Sequence, residues 1–111
     1  MRYTPAVLLV LYATAAFAQV LVPVKKYSAT CGDGVDAVVL ANNKGRTLLG
    51  VINDSDATMY LAFGEAAVSG KGVRLNASGG AVLYDAKIPA GAVHCITSGA
   101  AKNVTIHEGS K

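Results

Sequence analysis

Val38 to Glu108 reads VVLANNKGRTLLGVINDSDATMYLAFGEAAVSGKGVRLNASGGAVLYDAKIPAGAVHCITSGAAKNVTIHE. Short apolar runs alternate with turn signals along the whole stretch, and no run keeps the three-to-four-residue apolar spacing of an amphipathic helix. Asn42-Asn43-Lys44-Gly45, Asn53-Asp54-Ser55-Asp56, Ser69-Gly70-Lys71-Gly72 and the segment from Asn76 to Gly80 punctuate it, because Asn and Asp bond their own backbone and Gly accepts left-handed dihedrals. Between them lie candidate strands at 35–41, 46–53, 58–63, 73–75, 81–84, 92–97 and 104–107. Turn signals roughly every 8–12 residues are the mark of an all-β sandwich or barrel. The expected fold is all-β: a small antiparallel β-sandwich or barrel-like jelly roll with an apolar N-terminal arm. Gly64 to Ser69 reads as an irregular loop, and Lys25 to Gly34 as a polar connector that turns at Cys31-Gly32-Asp33-Gly34.

The 111 residues suit one domain. Hydrophobic residues make up 52% and charged residues 15%, against about 25% charged in an average soluble domain. A chain so poor in charge buries surface against neighbours. Net charge is +3, with Lys and Arg scattered and no basic run longer than two. With no Trp and two Phe, the chain lacks the clustered cations and stacking aromatics of a nucleic-acid reader, and no nucleic-acid partner is expected.

The N-terminus admits two readings. Arg2 leads an apolar run from Ala6 to Ala13, and Ala16-Phe17-Ala18 stands before Gln19. That is the outline of a secretory leader over 1–18 with cleavage after Ala18. The run is shorter than the about 20 residues of a membrane-spanning helix, so no stable membrane span is expected. The other reading is an uncleaved arm over 1–24, followed by a β domain over 25–111, with the arm docked on a partner. Val7, Leu8, Leu9, Leu11, Phe17, Val20, Leu21 and Val22 are then candidate partner contacts, together with Tyr27 and Cys31 beyond the arm. Pro23 bars a central-strand position for the segment around it.

The order of the strand words resembles a family of small bacteriophage virion proteins. Val39, Leu40, Asn43 and Arg46 carry a V-L-x-x-N-x-x-R opening, and Tyr60, Leu61, Phe63 and Gly64 carry a Y-L-x-F-G strand. Gly72, Leu75, Gly79 and Gly80 form the next turn, before Ile88, Pro89, Gly91 and Val93. The resemblance covers about two-thirds of the chain and leaves out the apolar arm. It implies a compact β-sandwich sitting on a capsid, tail or fibre as a decorating or cementing module, with the major capsid protein or other virion subunits as partners. It also implies a homo-oligomer, a trimer among the candidate states, located on the virion. The alternative without the resemblance is an exported periplasmic or surface binding domain.

Catalytic vocabulary is thin. Gly64 to Lys71 grazes a phosphate-binding loop but places five residues between its glycines and Gly72 where Ser or Thr must hold magnesium. Asp33, Asp36, Asp54 and Asp56 lack the spacing and terminal Glu of a calcium loop. His94 and Cys95 are adjacent, so on a strand they face opposite sides of the sheet and cannot form a nucleophile–base pair. Asn76-Ala77-Ser78 fits a glycosylation acceptor and is better read as a turn. No enzyme activity, cofactor or metal is expected.

Cys31 and Cys95 are the full cysteine complement. They are free thiols in a particle built in reducing cytoplasm, or they bridge within the chain across 64 positions, or each bridges to a neighbour. Export favours a bridge. Cys31, in a Gly-flanked turn, is the candidate partner-facing thiol, and Cys95, mid-strand, the buried one. The expected core is Leu40, Leu49, Ile52, Leu61, Leu83, Ile96 and Ile106, each stabilising by about 1.5–3 kcal/mol when fully buried. A domain of this size is marginal alone, and oligomerisation would offset the shortfall.

Overall fold

A computed structural model describes residues 24–98 and 100–111. Eight strands run in chain order: β1 (Val24–Asp33), β2 (Ala37–Leu40), β3 (Arg46–Asn53), β4 (Met59–Phe63), β5 (Val73–Leu75), β6 (Gly80–Tyr84), β7 (Val93–Thr97) and β8 (Lys102–Ser110). The described residues contain no helix, and the fold is the all-β sandwich expected, curled toward a barrel.

One layer has the order β6-β3-β8-β1, and the other β5-β4-β7 with β2 beside β7. β1 joins them. Val24 to Cys31 pairs antiparallel with β8, and the last two residues, Gly32 and Asp33, lie parallel to Ile96 and Thr97 of β7. β2 takes the rest of that β7 edge, Ala37 opposite Cys95 and Val38 opposite His94. β5 and β6, the far ends of the two layers, are joined by the turn from Asn76 to Gly79, which brings the sheet close to closing on itself.

Alternation sorts the side chains. Leu49 and Val51 of β3, Met59 and Leu61 of β4, Leu75 of β5, Val93 and Cys95 of β7, Val104 and Ile106 of β8, and Cys31 of β1 form one buried core. Phe63 and Tyr84 meet edge to face, with ring centroids 5.5 Å apart, and bring β4 against β6. Period-two alternation delivers this set because each strand turns one face inward.

Four expectations need correction. The expected connector from Lys25 to Gly34 is instead almost wholly strand, for β1 over Val24–Asp33 is the longest strand described and Cys31 lies within it. The sheet is mixed, since the β1–β7 pair is parallel. Leu83 faces outward and is 64% exposed; its neighbours Val82 and Tyr84 take the inner face, and Leu83 lies over Gly50 on the outer one. Leu40 and Ile52 are only half-buried, while Val51, Met59, Leu75, Val93 and Val104 hold the positions between the layers.

Candidate functional site

The arm residues Val7, Leu8, Leu9, Leu11, Phe17, Val20, Leu21 and Val22 lie outside the described residues. The two remaining candidates, Tyr27 and Cys31, share β1 and the same face of it, yet their surroundings differ completely. Cys31 is fully buried and bonded to Cys95, with a Cα separation of 5.1 Å. It is therefore not a partner-facing thiol, and neither cysteine is free. Gly32 permits the close fit beside it, because a Cβ there would collide with the carbonyl oxygen of Val35. The bridge pins the strand that crosses between layers to the central strand of the second layer. By loop-entropy reasoning a closure of this length stabilises by about 4 kcal/mol.

Tyr27 is 37% exposed. It pairs with Ile106 on β8, so it points to the inner side of its layer, but β7 reaches β1 only at Gly32 and Asp33. The second layer thus stops short of the start of β1. The uncovered space is a cleft of about 430 Å³ lined by Lys25, Tyr27, Asn43, Glu108, Ser110 and Lys111.

The floor of this cleft is a knot of polar side chains. β3 carries one extra residue against β8, since Arg46 sits opposite Ser110 and Leu48 opposite Gly109. Such a bulge re-aims the side chains around it, and here Arg46 is buried instead of facing solvent. Its Nε donates to Glu108 Oε2 at 2.8 Å. Nη1 donates to the carbonyls of Pro89 and Gly91 at 2.5 and 3.0 Å, and Nη2 to that of Ala41 at 2.9 Å. Asn43 Nδ2 donates to Ser110 Oγ at 3.0 Å and reaches Glu108 Oε2 at 3.3 Å, while Asn43 Oδ1 accepts from the Gly45 N–H. Gly109 leaves room for the bulge, as a Cβ would sit 3.1 Å from both Thr47 Oγ1 and Leu48 Cβ. Asn43 and Arg46 of the resemblance motif thus tie two loops, β2–β3 and β6–β7, to the end of β8. With Nε and both terminal nitrogens already donating to protein oxygens, Arg46 holds structure here and does not present a free fork to an anion.

His94 and Cys95 do face opposite sides of β7: Cys95 is in the core, and His94 Nδ1 meets Asp36 at 2.9 and 3.0 Å. The Asp36 carboxylate also accepts from the Ala67 N–H at 2.8 Å. Desolvation pushes this carboxyl up, but the Ala67 bond and the His94 imidazole outweigh it and hold it below the ordinary carboxylate value. The pair fastens the loop between β4 and β5 to the start of β2. Among the described residues no three His, Cys, Asp or Glu side chains are grouped to hold a metal ion, and no helix is long and apolar enough to cross a membrane. Gly64 to Lys71 is an irregular loop in which the Lys71 N–H donates to the Val68 carbonyl.

The β1 edge that the described residues leave unpaired, and the Arg46 knot, were missed by sequence reasoning. The alternation of Tyr27, Ala29 and Cys31 with Lys26, Ser28 and Thr30 was the available signal.

No family model matches the chain. No curated protein matches it either. Among solved structures, the chain is similar at 15% identity to a protein from work describing Bacillus endospore appendages as a novel family of disulfide-linked pili. The match covers 81% of this chain and 89% of that one, with a TM-score of 0.45. A likeness at that level fixes neither family nor partner.

Proposed function

We propose that this chain is an exported structural module, locked by its own disulfide, that works through contact between folded surfaces and carries out no turnover. The observation that carries the reading is the Cys31–Cys95 bridge in the middle of the core. Such bonds form and persist in oxidising compartments and are rare where thiols are kept reduced. The leader-like sequence over 1–18, ending in Ala16-Phe17-Ala18, agrees with that compartment. Self-association belongs to the same reading, since a domain this small gains stability by covering its sheet edges.

Decoration of a bacteriophage capsid is the finer form of the proposal. It draws on the order of the strand-turn words from Val39 to Val93 and needs the module to meet capsid subunits. The intact mass of the protein isolated from its native source, without reductant, tests both forms. A chain starting at Gln19 and lacking two thiol hydrogens is the expected result. A chain that keeps Met1 or Arg2 and co-purifies with phage particles favours the capsid form, and reduced cysteines in a cytoplasmic chain sink the export reading.

A further inference from the structure

β1 is ten residues long, well above the common strand length of about 5–6. From Val24 to Cys31 one of its edges is taken by β8. The opposite edge meets β7 only at Gly32 and Asp33, and β2 occupies the remainder of that side of β7. Among the described residues, nothing pairs with the β1 edge ahead of Gly32. Among the described residues a row of backbone donors and acceptors is thus left open, and open edges are templates for another strand. Folded proteins keep such edges short, bulged or charged. Here Lys25 and Lys26 stand at the entrance, and Tyr27 to Cys31 carry no charge at all. The inner face alongside is also uncovered, with Tyr27 at the cleft.

The chain that feeds β1 supplies a fitting strand. Val20-Leu21-Val22 is apolar with two β-branched residues, a composition that pleated surfaces favour. For a tight hairpin back onto its own β1 the sequence lacks the turn residues. Val24 is already in register with Gly109, so the reversal would have to fall within residues 20–23, and a tight hairpin needs Gly, Asn or Asp there. None is present. A residue before proline disfavours the helical region, so the sequence of Val22-Pro23 suits an added strand.

We infer that the open edge of β1 accepts residues 19–22 of a second copy as an added strand. Val20 and Val22 lie on one face of that strand and Leu21 on the other, so either phase sets an apolar side chain beside Tyr27. Each copy then offers one arm and one edge. Such a contact is head-to-tail, and it builds a ring where the rotation closes and a filament where it does not. The inference rests on the export reading only in taking self-association as the task, because residues 19–22 remain in the chain whether or not 1–18 is removed.

Photo-crosslinking tests it. The oxidised chain carrying p-benzoylphenylalanine in place of Leu21 is mixed with an isotope-labelled chain lacking the photo-residue, irradiated, and mapped by peptide mass. The expected product joins residue 21 of the unlabelled copy to the 27–31 segment of the labelled copy. Deletion of 19–22 is expected to abolish oligomers in light scattering while leaving the β-type circular dichroism intact. A crosslink within one copy, a crosslink to another surface such as a β1–β1 contact, or oligomers that survive the deletion overturns the inference. The start of the mature chain is read separately, so a Gln19 start without the crosslink removes this contact alone, and a cytoplasmic reduced chain with the crosslink removes only the export reading.

Discussion

Arg46 Nε and Glu108 Oε2 meet at 2.8 Å where β3 begins and β8 ends, with side chains 0% and 9% exposed. The pair lies beneath the cleft beside β1, and the guanidinium also holds the carbonyls of Ala41, Pro89 and Gly91. A charge buried to this degree is tolerated only when its partners are complete, which makes the bulge at Thr47 and the turn at Asn43 parts of one arrangement.

Replacing Arg46 therefore removes more than a salt bridge. Arg46→Ala leaves Glu108 without its counter-charge and orphans three carbonyls, and a loss of roughly 3–5 kcal/mol is expected in urea unfolding. Arg46→Lys recovers part of this at most, because one ammonium cannot serve a carboxylate and three carbonyls from a single point. A wild-type midpoint for Arg46→Lys would show that the fork geometry is irrelevant.

The bridge between Cys31 and Cys95 sets a second expectation. The Cys31→Ala/Cys95→Ala double variant should lose about 4 kcal/mol by the loop-closure argument, read as a lower urea midpoint than that of the oxidised protein. Both sulfurs are fully buried, so added reductant should act only at the rate at which the folded protein opens. Thiol trapping with time, at several urea concentrations, measures that coupling. Rapid reduction in the absence of denaturant would contradict the burial.

The strands legible in the sequence were those whose limits are set by turn chemistry. β3 runs from Arg46 to Asn53 and β5 from Val73 to Leu75, as the Asn-, Asp- and Gly-rich turns around them dictate. β1 was hidden because the alternation in Val24–Asp33 is weakly apolar and starts late. Its inner face begins in the open cleft, where Lys25 and Tyr27 remain wet, and becomes apolar only at Ala29 and Cys31. Leu83 shows the converse limit, since hydrophobicity alone does not say which face of β6 it takes. The partners of Arg46 were out of reach for a third reason: Glu108 is 62 positions away, and the bulge that turns Arg46 inward is a property of the β3–β8 pairing, not of either segment. For the cysteines, the sequence left open whether the thiols were oxidised and to what, and it misplaced Cys31 in a partner-facing turn when it is a buried strand residue.

Acid should weaken the protein in a defined window. Desolvation raises the Asp36 carboxyl, but the Ala67 N–H and His94 together bring it below its ordinary value. Its folded pKa is thus lower than its unfolded one. The stabilisation is fully present above the unfolded value of about 3.9 and is lost as pH falls through the folded value. Asp36→Asn should flatten the stability–pH curve in that acid range and leave its neutral limb unchanged in slope. Asp56, held low by hydrogen bonding and charge from Lys102, contributes in the same direction, but the contact is exposed and salt should screen it. Denaturant midpoints across the acid range, at low and high salt, separate the two carboxylates. An Asp36→Asn curve that matches wild type would remove Asp36 from the account.

Asn53 offers the sharpest chemical test of the turn between β3 and β4. It is fully buried. Its Nδ2 donates to the carbonyls of Ala57 and Leu75 at 2.7 and 3.0 Å, and its Oδ1 accepts from the Ser55 N–H and hydroxyl at 3.0 and 2.7 Å. Both ends of the amide are in use, so the orientation is fixed by its partners. Asn53→Ala leaves the buried Leu75 carbonyl without this donor and releases Ser55, with an expected cost of roughly 2–3 kcal/mol. Asn53→Asp keeps the shape and reverses the chemistry on one side, for a carboxylate then faces two carbonyl oxygens. At neutral pH this variant should be at least as unstable as the alanine variant, because an unpaired buried charge is worse than an absent group. Lowering the pH protonates the carboxyl and restores one donor, so Asn53→Asp should gain stability relative to Asn53→Ala as pH falls. Parallel thermal melts of the two variants at neutral and acid pH would show that crossing, and melting curves that keep a constant separation would mean the Nδ2 contacts do not hold the turn.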